Sequence, residues 1–556
     1  KDNGRIYVPI DHLDKIEKYI GDQKSVRVNA LNDTAWKKTK SIVKNKIREF
    51  AMDLLSLQAQ RKMISGIRFS PDTSWQKDFE ESFIYKATPD QDLAVREIKE
   101  DMESEKVMER LLCGDVGFGK TEVAVRAAFK AVQDGKQVAL LCPTTVLAIQ
   151  HYRTFRERMA EYPVSIAMLS RLVAPSKARE IKAEAEKGGV DIVIGTHKIL
   201  MGNMRFKDLG LLIIDEEQRF GVLHKEKLKY EKKNIDTLIL SATPIPRTLY
   251  MSLTGIMDLS RLETPPKNRH PIRTRAIPFD EALLREIIFR EVRRKGQVFF
   301  IHNRIKDIES IKEKIDEITM KQLKTDFVHG QMPAREIETR ILRFMNRETD
   351  ILLSTTIIEN GIDIPNVNTV VVNEADKFGL SQLYQIRGRV GRRETQAYAY
   401  LIVPPQMNTI AKERVNALLN FDYLGAGFEI AMRDLELRGA GNIIGKEQSG
   451  YMNMIGYDLY RRLLEEIIAE LQGKELAEPV RVTLDLDIAA FLPDEYVEEG
   501  SRKIEFYKKI YGARNDGELR QVSDELQDRY GKLPDEAADL FRLASLRLRA
   551  EKSCLH

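Results

Sequence analysis

The sequence has little cysteine: Cys113, Cys142 and Cys554 are the three in a chain of 556 residues. They share no metal-ligand spacing, which excludes a cysteine-held metal centre. Cys113 and Cys142 sit inside apolar runs and read as small buried hydrophobes. A reducing, cytoplasmic compartment is therefore the expected one. Long apolar runs are missing as well. None approaches the ~18 residues that a membrane span requires, and no secretory leader is visible. No membrane partner is expected. A dedicated basic tail is also absent. Lys and Arg number 89 against 85 Asp and Glu, for a net charge of +4. That balance is compatible with nucleic acid but does not argue for it.

What the chain has is length and hydrophobic content. Its length gives a prior of roughly three to four domains. Hydrophobic residues make up 43 %, enough for large cores, and charged residues 31 %, above the usual ~25 %. The chain starts at Lys1 and its last residues continue a helical pattern, so it reads as a fragment of something longer.

The stretch around which the rest is organised is GDVGFGKT, residues 114–121, a full match to the phosphate-loop pattern. Apolar Leu111–Cys113 before it reads as a buried strand. Glu122–Val132 after it reads as an amphipathic helix, with Val125, Ala128, Phe129 and Val132 at helical spacing. Gly114, Asp115, Val116, Gly117, Phe118 and Gly119 form the loop, and its glycines let backbone N–H groups approach phosphate oxygens. The helix N-terminus adds favourable partial charge for an anion. Lys120 is expected on the β/γ-phosphates, and the Thr121 hydroxyl on Mg²⁺.

Other segments supply partners for this loop. In FIYKATPDQ (83–91), Gln91 precedes the loop by some two dozen residues. An amide there can read the adenine edge, although Thr-Pro-Asp is also an ordinary helix start. Leu211–Ile214 runs into Asp215-Glu216-Glu217-Gln218. Adjacent carboxylates at the end of an apolar strand are costly unless they bind something. Asp215 is read as the Mg²⁺-side acid and Glu216 as the base for an attacking water. Val138–Cys142 and Asp191–Gly195 read as further buried strands, followed by Pro143-Thr144 and by Thr196-His197. Such loops bind ligands in open α/β sheets, or simply cap helices.

A second strand–helix series follows, with strands at Val298–Ile301, Asp350–Leu353 and Thr369–Val372 and no phosphate loop of its own. Two tandem α/β units with one nucleotide loop imply a site in the cleft between them. The second unit is then expected to supply positive charge. In QIRGRVGRR (385–393), Arg389 and Arg392 are the candidate arginine fingers. The same run also fits a basic surface turn. Toward the start, Asp33–Ile64 reads as a helix with Val43, Ile47, Phe50, Leu54 and Leu57 on its apolar stripe. Its other face is basic, for which a solvated surface and a DNA or interdomain role are equally weighted.

GDVGFGKT, DEEQ (215–218), SATPIPRT (241–248), STTIIENGIDIP (354–365) and QIRGRVGR (385–392), in this order, resemble the motifs of superfamily 2 helicases and translocases. The resemblance implies two RecA-like domains that bind Mg²⁺ and ATP between them and track a nucleic-acid strand. It also implies roles for residues that spacing alone does not assign. Gln91 is the adenine-reading glutamine, and Gly361 with Asp363 lines the nucleotide from the second domain. Pro143, Thr144, Gly195, Thr196 and His197 fall on strand-contacting motifs, while Ser241 and Thr243 fall on a coupling motif. Met407–Leu437 reads as two helices around Gly425-Ala426-Gly427, followed by Arg438-Gly439-Ala440-Gly441 and Glu447-Gln448-Ser449-Gly450. This resembles the translocation hairpin of the RecG and transcription-repair coupling factor branch, in which residues matching Arg438 and Gln448 couple hydrolysis to movement on duplex DNA.

Both ends of the chain resemble the coupling factors rather than RecG: YVPIDHLDKIEKYI, the basic helix, and the segment from Glu478. The expected fold is α/β, with two tandem RecA-like parallel-sheet domains, a helical-hairpin translocation motif and a partial C-terminal α/β domain. The expected boundaries are 1–24 (tail of an RNA-polymerase-interacting module), 25–70 (connecting helix), 71–265 and 266–405 (RecA-like domains), 406–475 (hairpin) and 476–556 (start of a C-terminal domain). The expected activity is ATP-driven translocation on double-stranded DNA. In a full-length protein that activity would displace RNA polymerase and couple transcription to repair through UvrA, whose binding region is absent here. The rivals are a RecG-like branch-migrating helicase, a DNA- or polymerase-binding clamp with a silent ATPase fold, and an RNA helicase.

Overall fold

The computed structural model describes residues 41–49, 51–52, 65–171, 173–196, 199, 204–216, 234–242, 257–266, 270–355, 364, 366–391, 395–421, 423–438, 463, 466–467, 470–471, 488–497, 500–513 and 515–552. The expected strand near residue 4, most of the helix at 33–64, and the segment from Glu478 to residue 487 lie outside these. The chain divides into two compact units, one of residues 52–450 and one joining residues 1–51 to 451–556.

The larger unit holds two parallel sheets. The first contains β1 (Glu109–Gly114), β2 (Gln137–Leu141), β3 (Ile166–Leu169), β4 (Ile192–Gly195), β5 (Leu209–Asp215), β6 (Asp236–Ser241) and β7 (Asp258–Leu262), in the order β3-β4-β2-β5-β6-β1-β7. The second contains β8 (Arg273–Ile277), β9 (Gln297–Ile301), β10 (Thr325–Val328), β11 (Ile351–Ser354), β12 (Val367–Val372) and β13 (Tyr398–Ile402), in the order β10-β11-β9-β12-β13-β8. The central strands are apolar on both faces because helices cover both, as parallel sheets require. β2, β5 and β6 are buried along their whole length. The edge strands β3, β7, β8 and β10 are shorter or more exposed.

The helix Lys120–Gln133 buries Val125, Ala128 and Phe129 against the first sheet. Phe129 stacks on Phe79 with ring centroids 4.1 Å apart. Cys113 and Cys142 are both buried free thiols, and burial pushes the Cys113 thiol up to about 12. After β13 come two helices, Thr409–Asn420 and Gly427–Arg438, joined through Gly425. Both pack on the helix Leu380–Arg387.

In the smaller unit, residues 41–49 are helical and bury Val43 and Ile47. Arg48 pairs with Glu470. Helices Gly500–Gly512, Asp516–Tyr530 and Asp535–Lys552 enclose a core that includes Leu492, Phe506, Ile510, Leu526 and Leu540. Among the described residues of this unit the regular elements are helices.

Candidate active site

The phosphate loop leaves β1 at Gly114 and enters its helix at Lys120. Gly117 and Gly119 both have φ +83°, the left-handed region where a side chain is strained. At Gly119 a Cβ would also lie 2.2 Å from Gln91 Nε2, so a side chain there would displace the Gln91 amide. Lys120 Nζ donates to the carbonyls of Gly114 at 2.6 Å and Asp115 at 3.1 Å, which folds the ammonium over the loop. Burial pulls the Lys120 pKa below its ordinary value, while Glu216 and Asp215 pull the other way. The ammonium and these two carboxylates therefore share one electrostatic site. Thr121 is the second residue of the helix.

Gln91 is built into the loop's support. Its Nε2 donates to the Phe118 carbonyl at 2.8 Å. It also closes a capping box with Thr88 at the start of helix Pro89–Glu103, Thr88 N–H donating to Gln91 Oε1 at 3.0 Å. The helix start and the loop contact thus coexist in one residue.

The acidic pair ends β5. Asp215 is 8 % exposed and its Oδ2 lies 2.8 Å from His151 Nε2. Glu216 is 6 % exposed and has φ +50°. A non-glycine residue held in that region is strained, and such strain gathers at functional sites. Its N–H donates to the Leu240 carbonyl at 3.0 Å, which holds the end of β5 against β6. A hydroxyl at Thr121 and a carboxylate at Asp215 are oxygen donors of the kind Mg²⁺ takes. Among the described residues no three His, Cys, Asp or Glu side chains form a metal cage. Mg²⁺ in nucleotide sites is held by one or two carboxylates, phosphates and water.

The second sheet meets the loop through the helix Leu380–Arg387 and the turn after it. A Cβ on Gly388 would lie 3.3 Å from Val116. Tyr384 Oη donates to Asp115 Oδ2 at 2.5 Å. Arg387 Nη1 donates to the Phe421 carbonyl at 2.6 Å, at the C-terminal end of helix Thr409–Asn420, where a cation also offsets the helix dipole. Arg389 is 2 % exposed.

The other sequence candidates are distributed as follows. The Thr144 hydroxyl caps helix Thr145–Arg158, accepting from Leu147 N–H at 3.2 Å. Gly195 ends β4 against the Leu169 carbonyl, which a Cβ would approach to 2.1 Å. Thr196 and Ser241 are buried, and Pro143 is half-buried. Arg438 is the last residue of helix Gly427–Arg438. His197, Thr243, Gly361, Asp363, Arg392 and Gln448 lie outside the described residues. Two features were not anticipated from sequence. One is His151 on Asp215. Its signal is a polar residue on the buried stripe Leu147, Ala148, His151, Phe155. The other is the set of partners that Asp115 finds in Tyr384, Gly425 and Gly427, for which no local pattern exists.

Comparison with known proteins agrees with this fold. The DEAD/DEAH box helicase model matches residues 88–252 and the helicase conserved C-terminal domain model matches residues 280–394. The structure of RecG bound to a three-way DNA junction aligns with TM-score 0.64 and 35 % identity, covering 77 % of this chain and 57 % of that one. A DNA-bound DUF1998 helicase, MrfA, aligns with TM-score 0.50 at 16 % identity over 70 % of this chain and 58 % of its own, a likeness of fold alone. The chain is thus a helicase-type ATPase of superfamily 2, with two RecA-like domains. The TRCF domain model matches residues 486–556. The transcription-repair-coupling factor of Bacillus subtilis (strain 168) is 48 % identical over 554 residues, which is 99 % of this chain and 47 % of the relative. That of Staphylococcus aureus (strain USA300) is 46 % identical over 99 % of this chain and 47 % of its own. The chain belongs to the transcription-repair-coupling factors, and it spans about half the length of the curated relatives it matches. Among the described residues no helix is long and apolar enough to cross a membrane.

Proposed function

We propose that this chain is the motor part of a transcription-repair-coupling factor, an ATP-driven translocase on double-stranded DNA. The observation that carries the reading is the seating of the second domain on the phosphate loop, through Tyr384 and Gly388. A nucleotide held by the loop would lie at a junction whose closure joins hydrolysis to domain movement. In this reading Lys120 and the loop N–H groups hold the triphosphate, and Gln91 faces adenine. Gly361 and Asp363 line the second side. Glu216 takes the proton of the attacking water, and Arg389 and Arg392 supply counter-charge. Thr121 and Asp215 would hold Mg²⁺, which neutralises phosphate charge when bound. His151 would keep Asp215 oriented.

DNA would run past Pro143, Thr144, Gly195, Thr196 and His197. Ser241, Thr243, Arg438 and Gln448 would connect hydrolysis to displacement. In a full-length protein, cytoplasmic RNA polymerase would be the obstacle moved and UvrA the repair partner. The test is phosphate release from ATP and Mg²⁺ with no DNA, single strands and duplex. Duplex is expected to stimulate most. Lys120→Ala should abolish turnover while the thermal midpoint is kept, and normal turnover in that variant would overturn the site assignment. Strong fork unwinding would favour a RecG-like activity instead.

A further inference from the structure

Asp115 stands inside the phosphate loop, yet its side chain does not face along it. The carboxylate is 6 % exposed and accepts three hydrogen bonds. Tyr384 Oη donates to Oδ2 at 2.5 Å and Gly425 N–H donates to the same oxygen at 2.8 Å. Gly427 N–H donates to Oδ1 at 2.9 Å. One donor belongs to helix Leu380–Arg387, and two belong to the elbow between the hairpin helices. A buried carboxylate with three donors is well satisfied, and each bond to a charged acceptor is stronger than a neutral one. Burial and the nearby Asp115 charge push the Tyr384 hydroxyl well above its ordinary pKa, so it remains a donor.

The elbow is shaped to this carboxylate. Gly425 has φ +94°, and a Cβ there would meet the Glu263 carbonyl at 2.7 Å. At Gly427 a Cβ would lie 2.3 Å from Asp115 Oδ1 and 2.7 Å from the Ala242 carbonyl. Next to it, Phe428 packs on Leu111, Cys113 and Ile239 of the first sheet, and the Arg261 guanidinium lies over its ring at 4.8 Å. Ser381 Oγ donates to Asp434 Oδ2 at 2.6 Å and ties the Tyr384-bearing helix to the second hairpin helix. The phosphate loop, the second domain and the hairpin therefore converge on one carboxylate.

We propose that Asp115 is a positioning residue that anchors the hairpin elbow and the Tyr384 helix to the phosphate loop and transmits the state of that loop to both. This rests on the motor reading above and adds the contact that would carry the coupling. A triphosphate brought beside Asp115 adds negative charge next to a carboxylate held by these donors and lying near the Lys120 ammonium. Loop movement on nucleotide binding then pulls directly on the Gly425 and Gly427 N–H groups, so the hairpin senses the site through backbone hydrogen bonds.

The test uses the whole chain, with amide hydrogen exchange at Gly425 and Gly427 and with base pairs travelled per ATP, from triplex displacement against phosphate release. Tyr384→Phe removes one donor and should speed exchange of these amides about tenfold in the nucleotide-free chain. A non-hydrolysable ATP analogue should shift their exchange in the wild type and do so less in the variant. Displacement per ATP should fall in Tyr384→Phe. Gly427→Ala, which wedges the contact open without altering the loop sequence, should act in the same direction. The anchor is overturned if the analogue leaves these amides unchanged in the wild type. It is equally overturned if both folded variants keep wild-type displacement per ATP. If the wild type displaces no triplex, the motor reading falls, and the exchange measurements alone decide the anchor.

Discussion

Apart from the added edge strand β7, the two sheets of the larger unit have the same strand order, so their positions can be paired: β1 with β8, β2 with β9, β5 with β12 and β6 with β13. The pairing shows how one scaffold makes a nucleotide loop in one case and none in the other. β1 leads into the glycine-bearing loop of residues 114–119. β8 leads instead into Pro278-Phe279-Asp280, and the Asp280 carboxylate caps the following helix, accepting from Leu283 N–H at 2.8 Å. The first helix start leaves its N–H groups to the loop, and no side chain caps it. The second has its own anion attached. The exits from β5 and β12 are closer still. Each passes through a glutamate in the left-handed region, Glu216 at φ +50° and Glu374 at φ +51°. Glu216 lies buried near Lys120, whereas Glu374 pairs with Arg304 at 3.1 Å and with Lys377. Backbone shape is shared, and the charge environment differs. What distinguishes the two exits is the charge around the glutamate and not the backbone that holds it.

The largest expected effect comes from splitting this pair. Glu216→Gln should lower kcat about 10²–10⁴-fold if it moves the proton of the attacking water. Glu374→Gln should leave kcat within about twofold, because an ion pair near the surface contributes at most ~1 kcal/mol. DNA-stimulated phosphate release measures both. Equal effects would break the comparison.

A second difference lies at the opposite end of the strands. β6 begins at Asp236, which is 0 % exposed and accepts from Met108 N–H at 2.7 Å. β13 begins at Tyr398. Burial pushes the Asp236 carboxyl up to about 8. A raised native value means that the folded chain binds a proton that the unfolded chain releases. The associated stability is present below pH ~4 and is lost as pH rises through about 8. Asp236→Asn keeps an acceptor for Met108 and removes the titration. At pH 9 it should be more stable than the wild type by a few kcal/mol, with the gap closing toward pH 5. Thermal midpoints across pH measure this. A constant difference at all pH values would show that the first sheet is not the more alkaline-sensitive one.

Much of this was legible in the sequence, for identifiable reasons. The buried strands β1, β2, β5 and β6 are apolar runs that end in Gly, Pro-Thr, Asp-Glu or Ser, so composition and punctuation agree there. The edge strands β3, β7, β8 and β10 are short or polar, and no periodicity announced them. The strand–loop–helix around residues 114–121 and the strand that ends in two carboxylates were legible because each is local in sequence. The contact of His151 with Asp215 spans 64 residues, and that of Asp115 with Gly427 spans 312. Only the packing of separate elements creates such contacts. Thr144 reads from sequence as either a strand contact or a helix cap, and its hydroxyl caps helix Thr145–Arg158. Gln91 combines helix capping with support of the loop, a pairing that a motif cannot express.

The smallest effect tests whether the second sheet's helix start is filled by its own side chain. Asp280→Ala removes the carboxylate that accepts from Leu283 N–H. Loss of an N-cap acceptor costs ~1 kcal/mol, which corresponds to a thermal midpoint only about 2–4 °C lower in a domain of this size. ATP turnover should not change, since the β8 exit holds no phosphate in the proposed mechanism. If Asp280→Ala instead reduced turnover as strongly as loss of Glu216, the exit of β8 would belong to the reaction centre. The assignment of grip to one sheet and counter-charge to the other would then be wrong. A shift confined to stability leaves the capped helix as the reason why a shared strand order carries only one nucleotide loop: a helix N-terminus already holding a carboxylate has little left to offer a phosphate.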